Sequence, residues 1–358
     1  MTSLLLGAPP GHATDDLAAV DEHLETFFTR AIARAGAHGD AYRRLWSATR
    51  DAAQGGKRVR PRLVLAVHRA FEGDDPASAV ATAAAFELLH TAFLMHDDVI
   101  DHDDVRRGIP NVTGRFAAEA AGRGASAARA REYGEASAIL AGDLLISAAH
   151  RMIAGLDVPF ARREALLELV DECVFLAAAG EHADVRFTLG ETPSAGDIVS
   201  MIENKTASYS FSGPLRAGAI LAGASPDTVD GLGEVGAHLG VAFQLRDDVL
   251  GVYGEREVTG KTTIGDLREG KETLLIAFAR ADASWAAVSG RFGRPDLDEA
   301  DAELLRAVIT SSGAHDRVEA LISGRCRSAI DLVERAGLPP ALADELTEVA
   351  RGCGERDR

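Results

Sequence analysis

Apolar residues recur at helical spacing along almost the whole chain, as in Leu166, Leu169, Val170, Val174 and Leu176, and strand-like alternation is hard to find. The periodic stretches are rich in Ala, Leu, Glu and Arg, which favour helix. They break at turn clusters: Gly55-Gly56, Gly73-Asp74-Asp75-Pro76, Thr192-Pro193-Ser194 and Leu338-Pro339-Pro340, with Ser or Asp placed to cap the helix that follows. This pattern predicts an all-α fold, a single-domain helix bundle over 1–358, with residues 1–15 a poorly ordered N-terminal segment. The stretch 117–131, AAEAAGRGASAARAR, is low in complexity and reads either as a surface connection or as a helix end. With 358 residues, 46% apolar and 26% charged, the chain has ample length for a large buried core.

Net charge narrows the function. A formal charge of -17 excludes a nucleic-acid-binding footprint. An anionic substrate would need local basic groups or bound cations. The most apolar stretch, Ala79 to Met95, is interrupted by Glu87 and His90, which mark a buried helix and no stable membrane insertion. The N-terminus lacks a basic segment and a long apolar core, so secretion is not expected. Cys173, Cys326 and Cys353 are odd in number and far apart, which suits a reducing, cytoplasmic setting and suggests no zinc site.

Two acidic clusters echo one another: His96-Asp97-Asp98-Val99-Ile100, followed by Asp101, and Arg246-Asp247-Asp248-Val249-Leu250. On a helix Asp97 and Asp101 stand one turn apart, roughly 6 Å between side chains. Two carboxylates at that distance repel by roughly 3 kcal/mol at an effective dielectric near 20. Such a pair is either a solvated helix end or a cation site, and oxygen-only ligands select a hard ion such as magnesium. A second pair inside another apolar helical pattern, Val235 to Leu250, shifts the balance towards metal.

Basic residues fall near these clusters: Lys57, Arg58 and Arg60; Arg106 and Arg107; Lys205; Lys261, Arg268 and Lys271. Each group alone also reads as an ordinary charged loop or helix end. His90 lies seven residues before Asp97, two turns along the same face, and reads either as a core histidine or as part of the site.

The order GGKRVRP, ELLHTAFLMHDDVIDHDDVRRG, NKTASY, FQLRDDV and TGKTTIGDLREGKETLL, from about Gly55 to Leu275, resembles the trans-isoprenyl diphosphate synthases, the polyprenyl synthetase family. That resemblance implies a bundle with a deep central cavity between the two acidic clusters, assembled as a homodimer. It implies a prenyltransferase that condenses isopentenyl diphosphate with an allylic diphosphate, using three magnesium ions once substrate is bound. Carried over to this sequence, Asp97, Asp98, Asp101, Asp247 and Asp248 would hold metal, Asp98 and Asp248 in supporting places. Lys57, Arg60, His90 and Arg107 would bind isopentenyl diphosphate. Arg106, Lys205, Lys261 and Lys271 would bind the allylic diphosphate, and Lys205, Thr206 and Gln244 would serve catalysis beside the allylic cation.

The second motif departs from the family's Asp-Asp-x-x-Asp at Gly251, so weakened or altered metal support is expected. Asp101 to Asp104 also spells DxDD, a cyclase motif, but overlaps the metal motif and lacks that family's context. Product length must be set sterically, because each added methylene contributes about 0.8 kcal/mol of burial and affinity alone favours longer chains. Ala92 and Phe93 stand fifth and fourth before Asp97, a pattern that in this family resembles geranylgeranyl diphosphate synthases. Phe93 reads equally as core packing, with Leu89 or Phe86 as the floor, so farnesyl and longer products stay open. A class I terpene cyclase, a metal phosphohydrolase and a silent partner subunit are the rival readings, and the two pocket motifs and both acidic pairs favour elongation.

Overall fold

The computed structural model describes residues 11–190, 192–254 and 264–354. The segment expected to be poorly ordered, 1–15, falls partly outside them: residues 1–10 are not described, and helix begins at Gly11. The described chain is all-α apart from one small hairpin. It forms two compact units.

The N-terminal unit contains residues up to Val170 plus 217–224. Its helices are α1 (Gly11–Gly36), α2 (Asp40–Ala53), α3 (Val59–Ala70), α4 (Pro76–Ile100), α5 (Val112–Gly122), α6 (Ala127–Ala154) and the start of α7 (Phe160–Phe187). Helix α4 starts where the sequence predicts: Asp75 caps it by accepting from the Ser78 amide at 3.0 Å, and Pro76 occupies the first turn. Between Ala79 and Ala92 almost every side chain is buried, Glu87 among them, as befits a helix enclosed by neighbours. Those neighbours are α1, α3 and α6. The low-complexity stretch resolves into the end of α5, a turn, and the start of α6, capped by Ser126.

After α4 comes a feature that helical periodicity hides. Strands β1 (Val105–Arg106) and β2 (Ile109–Pro110) pair antiparallel, with Arg107 and Gly108 as a two-residue turn at φ 55° and 79°. Positive φ at both turn positions suits the twist of a tight hairpin. Asn111 fixes its exit, donating to the Asp103 carbonyl at 2.7 Å while accepting from the Gly114 amide at 2.9 Å.

The C-terminal unit holds the rest of α7, α8 (Ala195–Ile202), a π-helix (Glu203–Ser212), the start of α9 (Gly213–Ala222), α10 (Pro226–Tyr253), α11 (Gly265–Glu269), α12 (Leu274–Arg280), two short 3-10 turns, α13 (Glu299–Ser311), α14 (Ala314–Arg335) and α15 (Pro340–Gly354). Helix α10 packs against the π-helix backbone to backbone. A Cβ on Gly236 would meet Ser212 Cα at 2.5 Å, and one on Gly240 would meet Ala207 Cβ at 2.4 Å. On another side Arg246, 1% exposed, donates both ends of its guanidinium to Glu319 of α14 at 2.6 and 2.8 Å and its Nε to the Cys353 carbonyl at the end of α15. A bidentate buried arginine of this kind fixes the helix in place just before Asp247.

Candidate active site

In the N-terminal unit the first acidic motif occupies the last turn of α4. Asp101 is the C-cap residue, exposed, and its amide bonds to the Asp97 carbonyl at 2.8 Å. Asp97 is half-buried, its side chain 23% exposed. Asp98 turns the other way and is buried, where Arg106 of the hairpin reaches it at 2.6 Å and touches Asp97 more loosely at 3.4 Å. Burial pushes the Asp98 carboxyl up, and the Arg106 guanidinium pulls it back towards the ionised form.

Three of the residues predicted to bind the isopentenyl head group, Arg60, His90 and Arg107, come together in the same unit. His90 is half-buried, and desolvation holds its pKa well below the usual histidine value, with Arg60, Arg106, Arg107 and Arg58 adding to the depression. A neutral imidazole among four guanidinium groups gives this patch a positive local charge. The Arg107 guanidinium lies over the Gly55-Gly56 turn, within 3.4 Å of where a Gly56 Cβ would stand. The two glycines, at φ 74° and 81°, allow that approach. Phe93, three residues past His90 and four before Asp97, shares their stripe and is half-buried, whereas Ala92, Leu89 and Phe86 are fully buried.

In the C-terminal unit the second motif lies inside α10. Thr206 Oγ1 donates to Gln244 Oε1 at 3.1 Å, and Gln244 Nε2 donates to Asp248 Oδ1 at 3.0 Å, so two predicted catalytic residues and one acidic residue form a single chain. Lys271 Nζ closes it from the other side, 3.2 Å from Asp248 Oδ1. Its ammonium pKa is raised well above the lysine norm by Asp248 first, then Asp266, Asp184 and Asp247. Lys205, on the π-helix, is held at 2.8 Å by Glu181 and 2.7 Å by Asp184. The approach is close because α7 carries Gly180, whose added Cβ would fall 2.3 Å from the Lys205 nitrogen. Lys261 lies outside the described residues.

Sequence reasoning missed three acidic members of this cluster, Glu181, Asp184 and Asp266. Asp266 also answers the irregularity at Gly251. A Cβ there would come within 2.2 Å of Asp266 Oδ2, so the carboxylate from α11 fills the space that a third aspartate of α10 would need.

No three described His, Cys, Asp or Glu side chains converge tightly enough to hold a metal ion by themselves. Asp97 and Asp101 offer oxygen donors alone, which fits magnesium, an ion that takes one or two carboxylates and completes its shell with water and phosphate oxygens. An acid-lined, arginine-backed helical site of this kind defines a class: an α-helical enzyme acting on diphosphates.

Comparisons with known proteins narrow the class. Residues 44–289 match the polyprenyl synthetase family, and the chain belongs to it. It is 35% identical over 298 residues to the geranylfarnesyl diphosphate synthase of Aeropyrum pernix, covering 82% of this chain and 87% of that one. It is 32% identical over 309 residues to the (2E,6E)-farnesyl diphosphate synthase of Mycobacterium tuberculosis, covering 84% and 80%. Its fold matches a geranylgeranyl pyrophosphate synthase of Corynebacterium glutamicum, solved with isoprenyl diphosphate and magnesium, at a TM-score of 0.87 with 28% identity, over 94% of this chain and 98% of that one. The chain is therefore a prenyltransferase of the trans-isoprenyl type.

Proposed function

We propose that this enzyme joins isopentenyl diphosphate to an allylic diphosphate in a magnesium-dependent reaction and releases geranylgeranyl diphosphate as its main product. The observation that carries the reading is the gathering of Arg60 and Arg107 around His90, on the same helix stripe as Asp97. A metal-free anion pocket beside a metal-holding carboxylate pair matches the needs of two unlike diphosphates. Asp97 and Asp101 would hold magnesium in one unit, Asp247 in the other, with Asp98 and Asp248 behind them. Bound magnesium would supply positive charge to the departing diphosphate.

The protein's own groups do the rest. Lys57, Arg60, His90 and Arg107 orient isopentenyl diphosphate; Arg106, Lys205 and Lys271 have to turn part of their donor capacity from carboxylates to the allylic diphosphate. The allylic C–O bond breaks, its electron pair leaving with diphosphate, and the double bond of isopentenyl diphosphate attacks the allylic carbon. A proton then passes to released diphosphate, which restores an allylic chain. Thr206 and Gln244 present oxygen atoms near the developing cation.

Phe93 is the reading's chain-length stop, and relatives whose names span farnesyl to geranylfarnesyl products make that residue the point to test. The reading also takes the chain as one catalytic domain, cytoplasmic, in a homodimer. Three buried cysteines that form no disulfide support the cytoplasmic setting, and Ile139 and Leu140, exposed on the apolar helix α6, support a second copy as partner. Product analysis with isopentenyl diphosphate, magnesium and each allylic diphosphate in turn is the test. A dominant twenty-carbon linear alcohol after dephosphorylation is expected. Cyclic hydrocarbon from an allylic diphosphate alone would place the enzyme among the cyclases.

A further inference from the structure

Arg58 stands between two residues assigned to the isopentenyl diphosphate pocket, Lys57 and Arg60, yet has no role in that reading. Its backbone is in the left-handed region, φ 52° and ψ 39°, one residue beyond the Gly55-Gly56 pair, which also has positive φ. A non-glycine residue is held there only when its surroundings compensate. The compensation is a four-way clasp. Arg58 Nη1 donates to the Ala53 carbonyl at the end of α2, 3.0 Å away, and to Glu87 Oε1 of α4 at 2.8 Å, while Nε and Nη2 reach Asp21 Oδ1 of α1 at 2.9 and 2.8 Å.

Solid packing does not back the turn on every side. A cavity of about 280 Å³ lies behind it, bordered by Leu24, Phe28, Ala53, Gly55 and Arg58, so packing leaves the loop room to shift. The clasp also ties the loop to the right place. Glu87, buried, precedes His90 by three residues on α4 and so shares its face. One guanidinium thereby sets Lys57 and Arg60 against the helix that carries both His90 and Asp97.

We infer that Arg58 is a positioning residue for isopentenyl diphosphate: clasped by Glu87, Asp21 and the Ala53 carbonyl, it fixes the Gly55–Arg60 turn against α4, and Glu87 is its essential partner. The inference rests on the proposed function, because it needs that substrate in that pocket. Arg58→Gly separates the clasp from the backbone. Glycine adopts the left-handed conformation more readily than arginine, so if residue 58 only had to make the turn, the variant would equal or better the native enzyme.

The experiment measures KM for each substrate and kcat for wild type, Arg58→Gly and the isosteric Glu87→Gln, with thermal melts alongside. Wild-type turnover of isopentenyl diphosphate with an allylic diphosphate first secures the functional reading on its own. Arg58→Gly is then expected to raise KM for isopentenyl diphosphate about tenfold, with KM for the allylic diphosphate and kcat each within about twofold. Glu87→Gln should do the same more weakly, and the double variant should be no worse than Arg58→Gly alone, since the two residues act as one unit. An unchanged isopentenyl KM in Arg58→Gly overturns the inference, as does an equal rise in both KM values. If Arg58→Gly fails to fold, Glu87→Gln decides the matter: a selective rise sustains the inference and none overturns it.

Discussion

Asp97-Asp98 and Asp247-Asp248 are the same dipeptide in sequence, and each pair divides its work in the same way, but the two are guarded differently. In both, the second aspartate is buried, 4% exposed, and held by a cation, Arg106 for Asp98 and Lys271 for Asp248, while the first remains half-buried. The first pair sits at a helix end with Asp101 exposed beyond it. The second lies inside a helix and shares Lys271 with carboxylates from other segments, Asp184 and Asp266. In each Asp-Asp motif the second residue anchors the basic residue beside it, and the first is the one that the proposed reading gives to the ion. The first pair meets the Arg106 guanidinium, and the second meets a lysine that further carboxylates share.

Removing the open member of the first pair should break that comparison most visibly. Asp97→Ala is expected to lower kcat about a thousandfold, and Asp247→Ala about a hundredfold because neighbouring carboxylates remain. Steady-state rates across a magnesium titration would check both, and equal losses at the two sites would show that the extra acids of the second cluster do not share its load.

Next in size is the loss of a buried counter-ion. Lys271→Ala removes the cation beside buried Asp248 and leaves its bond from Gln244, so the folded state should weaken by about 2 kcal/mol, reduced from a fully buried pair because Lys271 is itself 31% exposed. Urea denaturation would measure it. Lys271→Ala combined with Asp248→Asn should recover most of that stability, and failure to recover it would mean that Lys271 packs more than it pairs.

Much of this site was legible before any coordinates. Helical period placed Asp97, Asp101 and His90 on one stripe of α4, and the Asp75-Pro76 cap marked where that helix begins. Local signals sufficed because those relations span a few turns of one helix. The hairpin at Arg106 was not legible, since strands of two residues have no period to detect. Glu181, Asp184 and Asp266 were missed for a different reason: single acids in charged helical stretches look solvated, and only long-range folding brings them to Lys205 and Lys271. The π-helix is equally silent, because its residues, ENKTASYSFS, have no composition that separates them from an ordinary turn of α-helix. Gly251 was legible as a gap, and the structure supplies what fills it.

That filled gap sharpens the comparison further. Gly251→Asp restores the family's third aspartate in sequence, yet the new side chain meets Asp266 Oδ2 within 2.2 Å of its Cβ. Steric overlap and like-charge repulsion act together, so activity should fall about tenfold and the melting temperature by several degrees. Gly251→Asp with Asp266→Ala should return activity towards wild type. A fully active Gly251→Asp single variant would show that Asp266 is free to move aside.

The smallest expected effect comes from His90, and its sign follows from which state binds the proton. In the unfolded chain the imidazole titrates near 6.5, whereas burial and the surrounding arginines keep it neutral in the fold to well below that value. Between the two, the unfolded chain takes up a proton that the native pocket refuses, so stability present at neutral pH is lost as pH falls below 6.5. His23, His68 and His238 are depressed in the same direction, so the contribution must be read as a difference between proteins. From pH 7 to pH 5.5, wild type should lose about 1 kcal/mol more than His90→Gln in chemical denaturation. Saturating isopentenyl diphosphate should shrink that gap, because its negative charge beside the ring offsets the four arginines and lets the imidazole accept the proton in the folded state. A gap that isopentenyl diphosphate leaves untouched would place the anion away from His90 and detach this histidine from the pocket.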